Sequence, residues 1–386
     1  METRFTSNTF LLKSWMLIFF FLSAFAASSQ VNANFTFDGI NRTYIVYLPQ
    51  SYVQGQKLPL LLSLHGLTQT GAGIMEFSGF NAVADTGNFI VVYPDGIGNA
   101  WNVGFSGGST ADDVGFLSAL IDTLHAQYNV DLNRVYSTGF SNGGFMSYRL
   151  ACELGNRIAA IAPVSGTMTV ASLAACSPAQ PMPVLHIHGT SDFVVSYTGS
   201  FGNTSVQQVL DFWNGFNHCP ATAVIENLPD LVVEGSTVQR QTWSPCDEGV
   251  TVELLKVING GHTWPGSVGV TGIGITNRDI NASSEIWNFV KNFSLDETIG
   301  IEQLAKKEVK VYPNPVTDGL LFLELSTSSL YSHLQIVDLR GRILQEAQIP
   351  ATNQHFQLNV GGLSNGLYFV RLAGNQKNTV IRFMVQ

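Results

Sequence analysis

"STGFSNGGFMS", residues 137–147, sets one serine, Ser141, between Gly139 and Gly143, directly after the apolar pair Val135-Tyr136 and before a segment with helical spacing. The pattern is G-x-S-x-G with a strand before it and a helix after it. A chain that reverses so sharply forces the serine into a strained backbone, and side chains two residues to either side would collide, hence the glycines. Such a turn lifts a hydroxyl clear of the sheet. It also aims the backbone N–H of Asn142, at the start of the helix, at the place where a negative oxygen would form on a substrate carbonyl.

Working outward, "LPLLLSLHG" (58–66), "FIVVYPDG" (89–96), "RVYSTGFS" (134–141), "IAAIAPVSG" (158–166), "MPVLHIHG" (182–189) and "VTVELLKVINGG" (250–261) are short apolar runs ending in turns. Continuous apolar runs suit strands buried on both faces. Helical spacing lies between several of them: Val114, Leu117, Leu120, Ile121 and Leu124 form one stripe, and 143–154 and 281–293 read similarly. Strand alternating with helix predicts an α/β fold with a mainly parallel sheet flanked by helices. "NFTFDGINRTYIVYLP" opens the sheet as an antiparallel hairpin turning at Asp38-Gly39. In such sheets, reactive residues sit on loops at the carboxyl ends of strands.

A serine becomes a nucleophile only when a base takes its proton, and the base needs a carboxylate to fix its tautomer. In this architecture the chain order is Ser, acid, His. "INGGHTWPG" (258–266) delivers His262 from a glycine-rich turn after the last strand, and "HGTSD" (188–192) places Asp192 after the strand before it. His186 and His188 alternate on one strand face, but no third ligand stands at metal spacing, so a structural role is expected. His125 and His218 read as surface or packing residues. His65-Gly66 would let the backbone pass close to Ser141, with the N–H of Leu67, or alternatively Thr68, as second oxyanion donor. Trp101, Phe140, Tyr197 and Trp264 flank these loops and are candidates for an aromatic wall against the substrate. No metal or organic cofactor is implied.

The 386 residues are too many for one small domain. Arg4 and Lys13 precede the apolar block "WMLIFFFLSAFA" (15–26), and small residues follow, so 1–29 reads as a secretory signal peptide. The block is about half the ~20 residues that a membrane-spanning helix needs, and no later run matches it, so no transmembrane segment is expected in the mature chain. Export makes disulfides the natural state of Cys152, Cys176, Cys219 and Cys246. Three pairings are possible; near-neighbour closure favours Cys152 with Cys176 and Cys219 with Cys246. Residues 30–299 carry 9 Lys+Arg against 21 Asp+Glu. That balance repels nucleic acid and leaves a neutral substrate easier to accept. After Phe293 the composition turns polar, and alternating strands with Gly, Pro and Asn turns follow. The expected division is a catalytic unit at 30–299, then a linker and a small β-sandwich at 300–386.

"LSLHG", "VVYPDG", "DDVGFL", "GFSNGGFMSYRLACEL", "APVSGT", "PVLHIHGTSDFVVSY" and "GGHTWPG" together resemble secreted α/β-hydrolases of the polyhydroxybutyrate depolymerase-like and feruloyl esterase group of carbohydrate esterases, over residues 35–293. The resemblance implies Ser141, Asp192 and His262 as the triad, and Cys219 with Cys246 as a bridge. Where relatives often carry cysteine after the His-Gly of the oxyanion loop, Leu67 stands here. "VYPNPVTDGLLFLEL", "LQIVDLRGRIL" and "GLSNGLYFVRL" resemble the C-terminal sorting domain of the type IX secretion system, over 308–386, although the ending "IRFMVQ" lacks the usual lysine. A small carbohydrate-binding module is the alternative for this tail. The expected activity is hydrolysis of a carboxylic ester, on feruloyl or acetyl esters of plant-wall polysaccharide or on polyhydroxybutyrate, by a protein secreted through the periplasm. Peptide hydrolysis, or display of an inactive hydrolase fold as a binding protein, are the alternatives.

Overall fold

A computed structural model of the chain describes residues 30–105, 108–268, 273–295, 309–325, 331–338, 342–350, 355–374 and 378–386. The signal peptide read at 1–29 and most of the linker lie outside the described residues. The chain opens with β1 (Gln30–Phe37) and β2 (Ile40–Tyr47), paired antiparallel around a tight turn. Asp38 and Gly39 both have positive φ, 50° and 73°, the handedness a two-residue hairpin loop demands.

Five more predicted runs form β3 (Leu58–Leu64), β4 (Ile90–Pro94), β5 (Val130–Phe140), β6 (Ala160–Val164) and β7 (Val184–Gly189). The chain then adds β8 (Val224–Asn227), β9 (Thr237–Trp243) and β10 (Val252–Ile258). They make a ten-stranded sheet in the order β1-β2-β4-β3-β5-β6-β7-β10-β9-β8. From β4 through β10 the neighbours are parallel; both flanks are antiparallel. The β8–β9 flank had no counterpart in the sequence reading, because β8 is exposed along its whole length and carries no apolar run.

The helices are α1 (Gly71–Ser78), α2 (Phe80–Gly87), α3 (Asp113–Tyr128), α4 (Asn142–Glu153), α5 (Val170–Ala175), α6 (Val206–Phe216) and α7 (Ala282–Val290). Alternation along β3 sorts them onto two faces. Leu60, Leu62 and Leu64 pack with α3, α4 and α6, whereas Leu61 packs on the opposite face with α1, α2 and α7. Each such leucine, fully buried, contributes about 1.5–3 kcal/mol. Asp112 caps α3 by accepting from Gly115 N at 2.9 Å. Phe116, not Val114, leads the buried stripe of α3: Phe116 packs on Phe35 and Phe37 of the opening hairpin, and Val114 stays half-buried. Helix α4 is buried almost all round rather than along a stripe: besides the sheet it meets Phe105 through Phe145 and Trp213 of α6 through Tyr148.

Both disulfides pair near neighbours, Cys152 with Cys176 and Cys219 with Cys246. In the tail, β11 (Val309–Tyr312), β12 (Leu320–Leu325) and β15 (His355–Asn359) form one antiparallel sheet. A second contains β14 (Ile343–Gln348), β13 (His333–Val337), β16 (Gly366–Ala373) and β17 (Asn378–Val385). Leu321 and Leu323 of the first sheet share one core with Leu334, Ile336, Val370 and Phe383 of the second, the construction of a small sandwich.

Candidate active site

Strand β5 ends at Phe140 and α4 begins at Asn142, leaving Ser141 alone at the turn with φ 53° and ψ −117°. That is positive-φ backbone no serine adopts without compensation. The flanking glycines permit it. A Cβ on Gly139 would lie in the backbone of Gly143, and one on Gly143 would come within 2.1 Å of the Leu64 carbonyl oxygen. Ser141 N–H donates to Val164 O at 2.9 Å, so the strain is held by a bond to β6.

The candidate acid and base come from the ends of neighbouring strands. Asp192 follows β7, His262 follows β10, and His262 Nδ1 lies 2.7 Å from Asp192 Oδ2. A carboxylate can only accept, so Nδ1 carries the proton and Nε2 is left as the acceptor, the tautomer a general base needs. The other oxygen, Oδ1, receives the N–H groups of Val194 and Val195 at 2.9 and 2.8 Å. Burial pushes the Asp192 carboxyl up, but hydrogen bonds and charge from His188 and His262 overcome it and hold the group well below the usual carboxylate range. The Phe140 ring, one residue from Ser141, lies 4.7 Å from the His262 ring, centroid to centroid. The His262 imidazole therefore sits against the elbow.

The loop after β3 closes the other side. The ideal Cβ of Gly66 would stand 3.4 Å from Ser141 Cβ. Thr68 N–H donates to Asn99 O at 2.8 Å, which engages that group and leaves Leu67 as the candidate donor in this loop. His65 is fully buried: Nδ1 is 2.8 Å from Gly66 O, and Nε2 accepts from Gly96 N at 2.9 Å. Burial lowers its pKa, in keeping with a neutral ring that donates at one nitrogen and accepts at the other. Asn142 is locked too, its Oδ1 accepting from Trp101 N at 2.6 Å. Behind Trp101, Asn102 N donates to Asp113 Oδ2 at 2.7 Å, and Asp113 Oδ1 holds Arg42 at 2.6 Å with both side chains buried. Removing one member of such a pair costs about 3–5 kcal/mol.

The aromatic wall requires correction. Trp101, Phe140 and Trp264 are buried, and Phe140 is only 5% exposed. Trp101 donates from Nε1 to His65 O and packs at a tilt against the His65 ring; Trp264 donates to Ser283 Oγ among Phe77 and Phe80. Tyr197 is half-buried, edge-on to His188. Trp101, Phe140 and Trp264 lie inside the core rather than on a wall, while Tyr197 keeps part of its ring exposed. Apolar side chains that do face solvent beside the motif residues include Leu67 and Phe193, 51% and 67% exposed. Their adjacency to His65-Gly66 and to Asp192 was the signal that could have singled them out.

Residues 42–208 match the family described as esterase PHB depolymerase, a span that includes Ser141 and Asp192 and ends before His262. Residues 310–386 match the secretion system C-terminal sorting domain. Among curated relatives, the chain is 33% identical to a bifunctional acetylxylan esterase/xylanase of Neocallimastix patriciarum, over 67% of this chain and 34% of that one. It is 30% identical to feruloyl esterase B of Piromyces equi, over 66% of this chain and 46% of that one. The chain thus spans between a third and a half of the length of these relatives. An acetyl xylan esterase from Aspergillus awamori aligns structurally over 68% of this chain and 100% of its own, with a TM-score of 0.48 and 17% identity. The chain carries an esterase domain of the PHB depolymerase family, followed by a secretion-system C-terminal sorting domain.

Proposed function

We propose that the protein is a secreted serine carboxylic-ester hydrolase that works through an acyl-enzyme. Ser141 Oγ attacks the ester carbonyl carbon while His262 Nε2 takes the hydroxyl proton; Asp192 holds the imidazole and compensates its charge. The carbonyl π bond opens onto oxygen, and the N–H groups of Asn142 and Leu67 hold that oxyanion. Collapse of the tetrahedral intermediate breaks the bond to the alcohol, which leaves with the proton from His262. Water then attacks the acyl carbon with His262 again as base, releasing the acid and restoring Ser141. The observation that carries the reading is the 2.7 Å contact between His262 and Asp192, set against a strained serine elbow.

For the substrate, we propose feruloyl or acetyl esters of plant-wall polysaccharide. Two relatives named for acetylxylan and feruloyl ester hydrolysis support this. A polyester reading is favoured by the family description itself. The catalytic unit is assigned to 30–299, and 300–386 to export by the type IX machinery. Product analysis on feruloylated arabinoxylan, acetylated xylan and 3-hydroxybutyrate oligomers is the test. Release of ferulate or acetate, with kcat/KM at least about tenfold above that on the oligomers, is the expected result. The reverse ranking replaces polysaccharide esters with polyester.

A further inference from the structure

The two histidines of "HIHG" are fully buried on β7 and belong to no part of the mechanism above. Tyr148, on the helix that starts at the Ser141 elbow, has its hydroxyl 2.7 Å from His186 Nδ1. His186 Nε2 is 3.0 Å from His188 Nδ1, and His188 Nε2 is 2.8 Å from the carbonyl oxygen of Val195. His188 Nε2 also lies 3.4 Å from Asp192 Oδ2, the same oxygen that holds His262.

A carbonyl can only accept, and with both imidazoles neutral this fixes every proton in the row. His188 must carry hydrogen on Nε2, so its Nδ1 accepts. His186 must then donate from Nε2 and accept at Nδ1, and the Tyr148 hydroxyl must donate. Every bond points toward the acid loop. Burial and the neighbouring imidazole push the His186 pKa well down, and burial pushes the Tyr148 hydroxyl well up, so both stay neutral as this pattern requires. The row grips the loop at Val195, whose O accepts from His188 while its own N–H donates to Asp192 Oδ1 within the loop.

We infer that Tyr148, His186 and His188 form a buried positioning relay that holds the Asp192 carboxylate under His262. The inference rests on reading Ser141, Asp192 and His262 as the triad. An apolar strand would avoid the cost of burying two imidazoles; what the imidazoles add is an anchor for the acid loop at Val195 O and a polar N–H edge 3.4 Å from Asp192 Oδ2. The row ties the nucleophile's helix, β7 and the acid loop into one hydrogen-bonded unit. The groups facing His188 are His186, Asp192 and Tyr197, with Tyr148 of α4 on the far side of His186. Lys256, the register partner of His188 on β10, lies with Nζ over the Tyr197 ring, and His262 lies beyond Asp192.

The test is steady-state kinetics of the full-length chain on a p-nitrophenyl ester, with Ser141→Ala as reference. His188→Leu, which removes the donor, should lower kcat roughly 10- to 100-fold through misplacement of the acid and base, with KM within about twofold. The acid limb of its kcat profile should move to higher pH, since Asp192 shares its charge with one donor fewer and holds the proton on His262 more tightly. His188→Gln, whose amide can donate to Val195 and accept from His186, should recover most of kcat and return the limb. Tyr148→Phe, which removes one oxygen at the far end, should lower kcat about threefold or more, and decides the matter if His188→Leu does not fold. Wild-type kcat in Tyr148→Phe, or wild-type kcat and an unmoved limb in folded His188→Leu, overturns the relay. Equally slow Leu and Gln variants do so as well. If Ser141→Ala is inactive beside an unimpaired His188→Leu, the relay alone falls; if Ser141→Ala keeps its activity, the triad reading falls with it.

Discussion

At Asp192, burial and hydrogen bonding pull in opposite directions, and hydrogen bonding from His188 and His262 wins. A carboxyl held below its unfolded value of about 3.9 contributes stability that is present above that pH and is lost as pH falls through the lower folded value. Acid unfolding below about pH 4 should therefore include this group. The margin in Tm between wild type and Asp192→Asn should be present at pH 7 and shrink as pH falls below about 4; a margin constant from pH 7 to pH 3 contradicts the account. The same variant should lose about 10³- to 10⁴-fold in kcat, because the amide presents a donor to His262 Nδ1 and enforces the wrong tautomer. Asp192 stays ionised from pH 5 to pH 8, so an acid limb in that range does not report its protonation.

Among the elements, the elbow between β5 and α4 is the one whose sequence and geometry agree at every position. Gly143→Ala should push the oxyanion loop away, because the new methyl meets the carbonyl oxygens of Leu64 and His65, 2.1 and 2.8 Å from the Cβ position. Overpacking of that kind costs about 1–3 kcal/mol, so a lower Tm together with a fall in kcat is expected. Wild-type values of both would mean that the loop is not where the structure puts it. The elbow and the parallel strands were legible because each is a local pattern, an apolar run or a glycine turn; Asp192 and His262, 70 residues apart, were legible one at a time, each as a reactive residue at a strand end. Trp101 was not legible. Its burial follows from Asp113 gripping Asn102 and Asn142 gripping Trp101, contacts made 11 and 41 residues apart. The role of His186 and His188 needed the position of Tyr148, 38 residues before His186, and strand β8 carried no apolar signal to read.

On the scale of the whole molecule, the hydrolase sheet and the tail sandwich each have a core of their own, the first on two sheet faces and the second between two small sheets. Ser141, Asp192, His262 and the loops that brace them all precede residue 296, so the chemistry should not depend on 300–386. Among the described residues, no helix is long and apolar enough to cross a membrane. The central claim, that Ser141 is the activated nucleophile, is tested most directly by reacting a fluorophosphonate with the full chain and with a chain ending near residue 298. Peptide mass mapping then locates the label as esterase activity is followed. The account predicts one label per chain, on the peptide containing Ser141, with activity lost in step with labelling and at the same rate in both chains. Activity that survives complete labelling, or a label on any residue other than Ser141, would contradict it.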